Sequence, residues 1–113
     1  MEAQMAGPVG VVDRARLKAV ADCLRERYGA QRVILFGSAA RGDASEHSDN
    51  DLLVIAETRE KLYTRMATVL SVVRELSRGM PLSPVVLTPE ELSARLARGD
   101  QLAQEIVQAG VDL

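Results

Sequence analysis

Asp49 and Asp51 stand two residues apart at the head of one apolar run, and Gly37-Ser38 closes an earlier one. An i, i+2 pair entering a strand projects both side chains from the same face. Two carboxylates so placed repel each other unless a cation sits between them or one keeps its proton. Mg2+ suits such a pair, because it takes one or two carboxylates together with phosphate oxygens rather than a full protein cage. The glycine and serine offer a complement. A glycine directly after a strand lets a ligand approach the backbone, and Ser38-Ala39-Ala40-Arg41 can form one helical turn whose free N–H groups and Ser38 hydroxyl face an anion. Phosphate is the natural candidate. Singly, a Gly-Ser of this kind is more often just a turn, and an Asp-x-Asp more often a loop cap. A phosphate cradle and a metal clamp joined by two buried strands are far more specific, and together they suit nucleotidyl transfer.

The elements that must position these residues follow from periodicity. Val33 to Phe36 and Leu52 to Ile55 are almost wholly apolar, as expected of strands buried on both faces. The polar connection from Gly37 to Asn50 runs to 14 residues, against roughly 2–5 in an ordinary hairpin. It is too short for a crossover with a full helix, so the two strands are expected to be antiparallel neighbours. Before them, Asp13 caps a helix to about Tyr28 that Gly29 stops, with Leu17, Val20, Ala21 and Leu24 on its inner face. After them, the spacing predicts a long helix from Thr58 to about Arg78, with Leu62, Met66, Val69, Leu70, Val73 and Leu76 as its apolar stripe. Ser83 to Leu87 is a third strand, and Pro84 confines it to an edge or a strand start. Thr88-Pro89-Glu90-Glu91 has the layout of a capping box, Gly99-Asp100 ends that helix, and a last one spans Gln101 to Ala109 before Gly110. The expected fold class is α+β: a small mixed sheet of three core strands covered by helices.

Composition narrows the class further. At 113 residues the chain supports one domain, expected over residues 13–113, with residues 1–12 as a loose lead-in. No apolar run approaches a membrane span, and the first dozen residues lack the pattern of a secretory signal. The single cysteine, Cys23, precludes an internal disulfide and fits a cytoplasmic setting, with the residue at the edge of the core. A net charge of −2 and an aromatic set of Tyr28, Phe36 and Tyr63 argue against tracking a long nucleic acid. Self-association stays open, since a small domain with apolar helical stripes could dimerise.

The run LFGSAARGDASEHSDNDLLV resembles the signature of the DNA polymerase β-like nucleotidyltransferase superfamily, and within it the minimal nucleotidyltransferases of bacteria and archaea. The similarity extends from about Leu17 to the end. It implies the polymerase β-like nucleotidyltransferase fold, with Asp49 and Asp51 as the catalytic pair that binds Mg2+ and Gly37 and Ser38 binding a nucleoside triphosphate. Arg41-Gly42 matches the family's Ala-Arg-Gly segment beside the nucleotide, where Arg41 either reaches phosphate or anchors the loop. The resemblance further implies transfer of AMP from ATP to a hydroxyl of a partner protein, a HEPN-domain toxin, with this chain as antitoxin. His47 fills a variable position and reads as a solvated loop residue. One departure stands out: the superfamily draws a third carboxylate from the next strand, and Leu82 to Leu87 contains no acid. Glu90 and Glu91 come after it and suit a solvated helix N-terminus. The alternative is a catalytically weak or inactive nucleotide-binding subunit that neutralises or scaffolds a HEPN protein by binding alone.

Overall fold

A computed structural model of the chain describes residues 13–44 and 48–113; the lead-in over 1–12 and His47 lie outside the described residues. Asp13 accepts the backbone N–H of Arg16 at 3.0 Å and starts helix α1, Arg14–Arg27. Gly29, in the left-handed region at φ 81°, turns the chain into strand β1, Ala30–Phe36. A four-residue helical turn α2, Ser38–Arg41, leads into the polar loop. Strand β2, Asn50–Ala56, returns antiparallel to β1, as the length of the connection predicts, with Phe36 opposite Asp51 and Leu35 opposite Leu52.

Helix α3 is shorter than periodicity predicts, covering Leu62–Val72 rather than Thr58 to Arg78. Each end has an identifiable cause. The Thr58 hydroxyl accepts the Glu60 N–H at 3.0 Å, so the chain turns before the helix opens at Lys61. Past Val73 the guanidinium of Arg16 donates to the carbonyls of Leu76 and Arg78 at 2.8 and 2.7 Å. Carbonyls held from outside in this way favour turns over a continuing ladder. The apolar stripe differs too: Val69 and Val73 are buried, Leu62, Met66 and Leu76 are exposed, and the inward face carries Arg65.

Strand β3, Leu82–Leu87, runs parallel to β2 and forms a sheet edge, where Pro84 is tolerated. Thr88 closes a capping box with Glu91 and opens α4, Pro89–Ala97, as its sequence pattern indicates. Asp100 caps α5, Gln101–Ala109. The chain then adds a strand that its sequence pattern does not announce: β4, Val111–Asp112, pairs antiparallel with Leu35 and Ile34 of β1. The order is β3-β2-β1-β4, a mixed sheet of four strands rather than three.

Alternation along the central strands divides the core between two faces. Val33, Leu35, Leu52 and Val54 pack with α1 and α3, while Ile34, Leu53 and Ile55 pack with Leu92 of α4 and Ile106 of α5. The result is a two-faced α+β sheet whose central hairpin is rigid from both sides. Cys23 is half-buried and its thiol lies 3.8 Å from the Val72 carbonyl, a packing role in line with its helix-edge position.

Candidate active site

The buried hairpin ends where its polar loop begins, and the geometry there turns on Gly37. Its backbone sits at φ 74°, ψ −152°, a combination open essentially only to glycine. A Cβ built there would lie 2.4 Å from Oδ2 of Asp51. The Asp51 carboxylate therefore rests against the backbone of the Gly-Ser turn, and the two halves of the sequence motif meet. Glycine here makes room for a carboxylate of the same protein, a tighter requirement than the ligand approach expected from sequence. Alternation along β2 puts Asp51 on the face of Leu53, toward α4 and α5.

Asp49 precedes β2 and is exposed, while Asp51 is half-buried. Partial burial pushes the Asp51 carboxyl up from its ordinary pKa, the charge of Asp49 pushes it further, and the Arg41 guanidinium pulls it partly back. Among the described residues no donor satisfies either carboxylate. A half-buried carboxylate beside another, with no donor on it, is an acidic pair that a divalent cation would offset. The donor set fits Mg2+ completed by phosphate oxygens.

Ser38 opens α2, and among the described residues its hydroxyl has no partner. Arg41 reaches Asp43 at 3.4 Å and keeps most of its side chain in solvent. Gly42, at φ 83°, closes α2 through its N–H to the Ser38 carbonyl, so it shapes the loop from the far side of the turn. Glycine, serine, arginine and both aspartates thus gather around one turn, as their spacing suggests.

The third strand brings a hydroxyl, and no acid, beside Asp51. Ser83 is the partner of Asp51 in the β2–β3 register, and the described residues contain no group of three acidic, histidine or cysteine side chains able to hold a metal. Glu91 stands in the first turn of α4 as expected from sequence and is partly exposed, but its carboxylate is also engaged. It accepts the Thr88 N–H at 2.9 Å and pairs with buried Arg65 at 2.6 and 3.1 Å. Arg65 also donates to the carbonyls of Val86 and Glu60. These bonds hold the Glu91 carboxyl down to about 2. The pair clamps α3 to β3 and α4 and leaves Glu91 no part in a metal site. Sequence reading also passed over a cleft of about 140 Å3 between α2 and α5, lined by Phe36, Gly37 and Arg41 and by Leu102, Glu105 and Ile106. The signal for it was the i, i+3, i+4 spacing that puts Leu102, Glu105 and Ile106 on one side of α5.

Residues 17–113 match the nucleotidyltransferase domain family. The chain belongs to this family. The matched stretch begins at Leu17 and takes in the whole hairpin, so the polymerase β-like nucleotidyltransferase fold expected from the Gly-Ser and Asp-x-Asp spacing holds. The chain is 44% identical over 66 residues to a protein of Methanocaldococcus jannaschii named as a candidate protein adenylyltransferase, covering 56% of this chain and 45% of that one. A second candidate protein adenylyltransferase of the same organism is 30% identical over 69 residues, 61% of this chain and 67% of that one. The protein adenylyltransferase MntA of Thermococcus cleftensis is 55% identical over 31 residues, 27% of this chain and 31% of that one. The alignment thus covers less than half the length of the first of these relatives. The relatedness is consistent with a minimal nucleotidyltransferase.

Proposed function

We propose that this chain transfers AMP from ATP to a hydroxyl of a partner protein, with Asp49 and Asp51 holding Mg2+. The observation that carries the reading is the contact between the Asp51 carboxylate and the Gly37 backbone, which joins an undonated acidic pair to the Ser38 turn. The names of the related adenylyltransferases support a protein acceptor. Bound Mg2+ would neutralise triphosphate charge and polarise the α-phosphate. The chain's own residues do the rest. Gly37 keeps the turn close to the carboxylates, the Ser38 hydroxyl is free to donate to a phosphate oxygen, and the Arg41 guanidinium adds positive charge beside it. In the transfer the acceptor oxygen bonds to the α-phosphorus, the bond from that phosphorus to the bridging oxygen breaks, pyrophosphate leaves with the electron pair, and the hydroxyl proton passes to water.

The partner we propose is a HEPN-domain protein, neutralised as a toxin by AMP addition inside the cytoplasm. The experiment combines the chain with Mg-ATP and the product of an adjacent HEPN gene, then weighs the HEPN protein by mass spectrometry. Whole AMP units are expected, and both Asp49→Asn and Asp51→Asn should remove them. A second reading has one observation in its favour: Ser83, not an acid, lies beside Asp51. On that reading the chain binds nucleotide and neutralises its partner without chemistry. Neutralisation that survives both substitutions, with no added mass, would establish it in place of transfer.

A further inference from the structure

Among the described residues the exposed large hydrophobic side chains are Leu62, Tyr63, Met66, Leu76, Val85 and Leu102. All but Leu76 line one continuous band. A groove of about 320 Å3 at the β3 edge is formed by Leu62, Tyr63 and Met66 of α3 against Pro84 and Val85. It shares Val85 and Arg95 with a second cleft over α4 and α5, and that one shares Phe36, Leu102 and Ile106 with the cleft beside Gly37. The band therefore runs from the sheet edge to the turn that holds Asp51. Exposed apolar side chains scattered singly need no explanation, but a contiguous row ending at a reactive site does.

We propose that this band is the docking track for the acceptor polypeptide, which lays apolar side chains along it and delivers its hydroxyl at the Gly37 end. The proposal rests on the protein-transfer reading and assigns the surface that reading requires. Any acceptor hydroxyl has to arrive beside Asp51, and the band is the apolar surface that leads there. Strand addition at the β3 edge is a poor alternative. Pro84 has no N–H to offer, and the Val86 carbonyl already accepts from Arg65 at 3.1 Å. Side chains seated in grooves, rather than a paired strand, are what this edge accommodates. Arg95 and Asp100 face each other at 3.7 Å along the track, so the walls carry little net charge and favour apolar residues flanking the hydroxyl over a strongly charged segment.

The test uses two fluorescein-labelled synthetic peptides, each with one central tyrosine, flanked in one by Leu, Met and Val and in the other by Ser and Gly. Binding is read by anisotropy, and AMP addition by mass after incubation with Mg-ATP. The apolar-flanked peptide should bind at least about tenfold more tightly. Both Val85→Glu and Tyr63→Glu, at positions that line the track away from the Gly37 cleft, should erase that preference while leaving stabilisation by Mg-ATP intact. Equal binding of the two peptides, or a preference unmoved by both substitutions, overturns the track. Sedimentation showing a dimer that these substitutions dissociate overturns it as well, because the band is then covered by a second copy. Binding with the expected preference but no AMP addition upholds the track and counts against transfer. Equal AMP addition to both peptides without a binding preference upholds transfer and removes the track.

Discussion

Asp51 sits where its ionised form is poorly supported: half-buried, beside Asp49, and with no donor on it among the described residues. Replacing it by Asn removes the repulsion and the desolvated charge. Asp51→Asn should therefore raise the Tm of the metal-free protein at neutral pH, while abolishing both AMP transfer and any rise in Tm on adding Mg-ATP. A differential scanning calorimetry trace with and without Mg-ATP checks both, and a lowered metal-free Tm would contradict the electrostatic account. Such a gain in stability on loss of function is common where a site holds strained groups. Gly37→Ala acts on the same carboxylate from the other side. The backbone there costs about 1–3 kcal/mol for a residue with a Cβ, and that Cβ would meet Oδ2 at 2.4 Å. The variant should fold with a lowered Tm and transfer AMP at least about a hundredfold more slowly, since a misplacement of about 1 Å can cost that much. At this scale Gly37, Ser38, Asp49 and Asp51 could be picked out as candidates from residue type and spacing alone. The contact between Gly37 and Asp51 could not, because it depends on the φ and ψ of one residue.

Helix α3 shows how far periodicity carries at the scale of an element. Its existence was plain in the apolar repeat, but its ends were not: the Thr58–Glu60 turn sets the first, and Arg16, 60 residues away in sequence from Leu76, holds the carbonyls beyond the second. Its inward face was misread for a related reason. Arg65 lies among the positions that pack inward, and an acid 26 residues away together with two backbone carbonyls makes its burial tolerable. The Arg65–Glu91 pair then joins α3, β3 and α4 in one polar clamp. A carboxyl held down to about 2 when folded contributes stability that is fully present above its unfolded pKa of about 4.5. That contribution is lost as pH falls through about 2. Glu91→Gln should accordingly lower Tm at pH 7, with the difference from the parent protein shrinking below about pH 4.5 and vanishing near 2. Circular dichroism melts across that range give the answer, and a pH-independent difference would mean that packing rather than charge carries the clamp. At the other end of the sheet, Gly110 lets α5 meet β1. A Cβ there would lie 2.4 Å from Cγ2 of Ile34 and 2.5 Å from the Ile106 carbonyl oxygen. Gly110→Ala should cost about 1–3 kcal/mol of unfolding free energy in urea titration, the usual penalty of overpacking.

Across the whole molecule, the two-faced burial of the central strands could be read directly, because Val33 to Phe36 and Leu52 to Ile55 have no polar face to expose. The fourth strand could not, since Val111-Asp112 is too short to carry a pattern and forms through the Leu113 N–H to the Val33 carbonyl and the Arg32–Asp112 pair. That β3 carries no acid was legible, but that Ser83 is the residue beside Asp51 needed the β2–β3 register. That register makes the site a property of the whole sheet, because the turn after β1 supplies Gly37, β2 supplies Asp51, and the parallel pairing of β3 sets what stands beside them. A ligand gripping the β1–β2 turn should therefore stabilise the entire cooperative unit. At a hundredfold excess over its dissociation constant, Mg-ATP adds about 2.7 kcal/mol, a rise in Tm on the order of 10 °C for a domain of this size. The rise should need both partners: ATP with EDTA, or Mg2+ alone, should give a small fraction of it. Val85→Glu should keep it in full, since Val85 lines the groove at the β3 edge and not the cleft beside Gly37 and Arg41. Thermal melts of the parent protein, Val85→Glu and the Asp49→Asn, Asp51→Asn double variant under these conditions distinguish the cases. Equal stabilisation of the double variant would move the nucleotide away from the hairpin altogether.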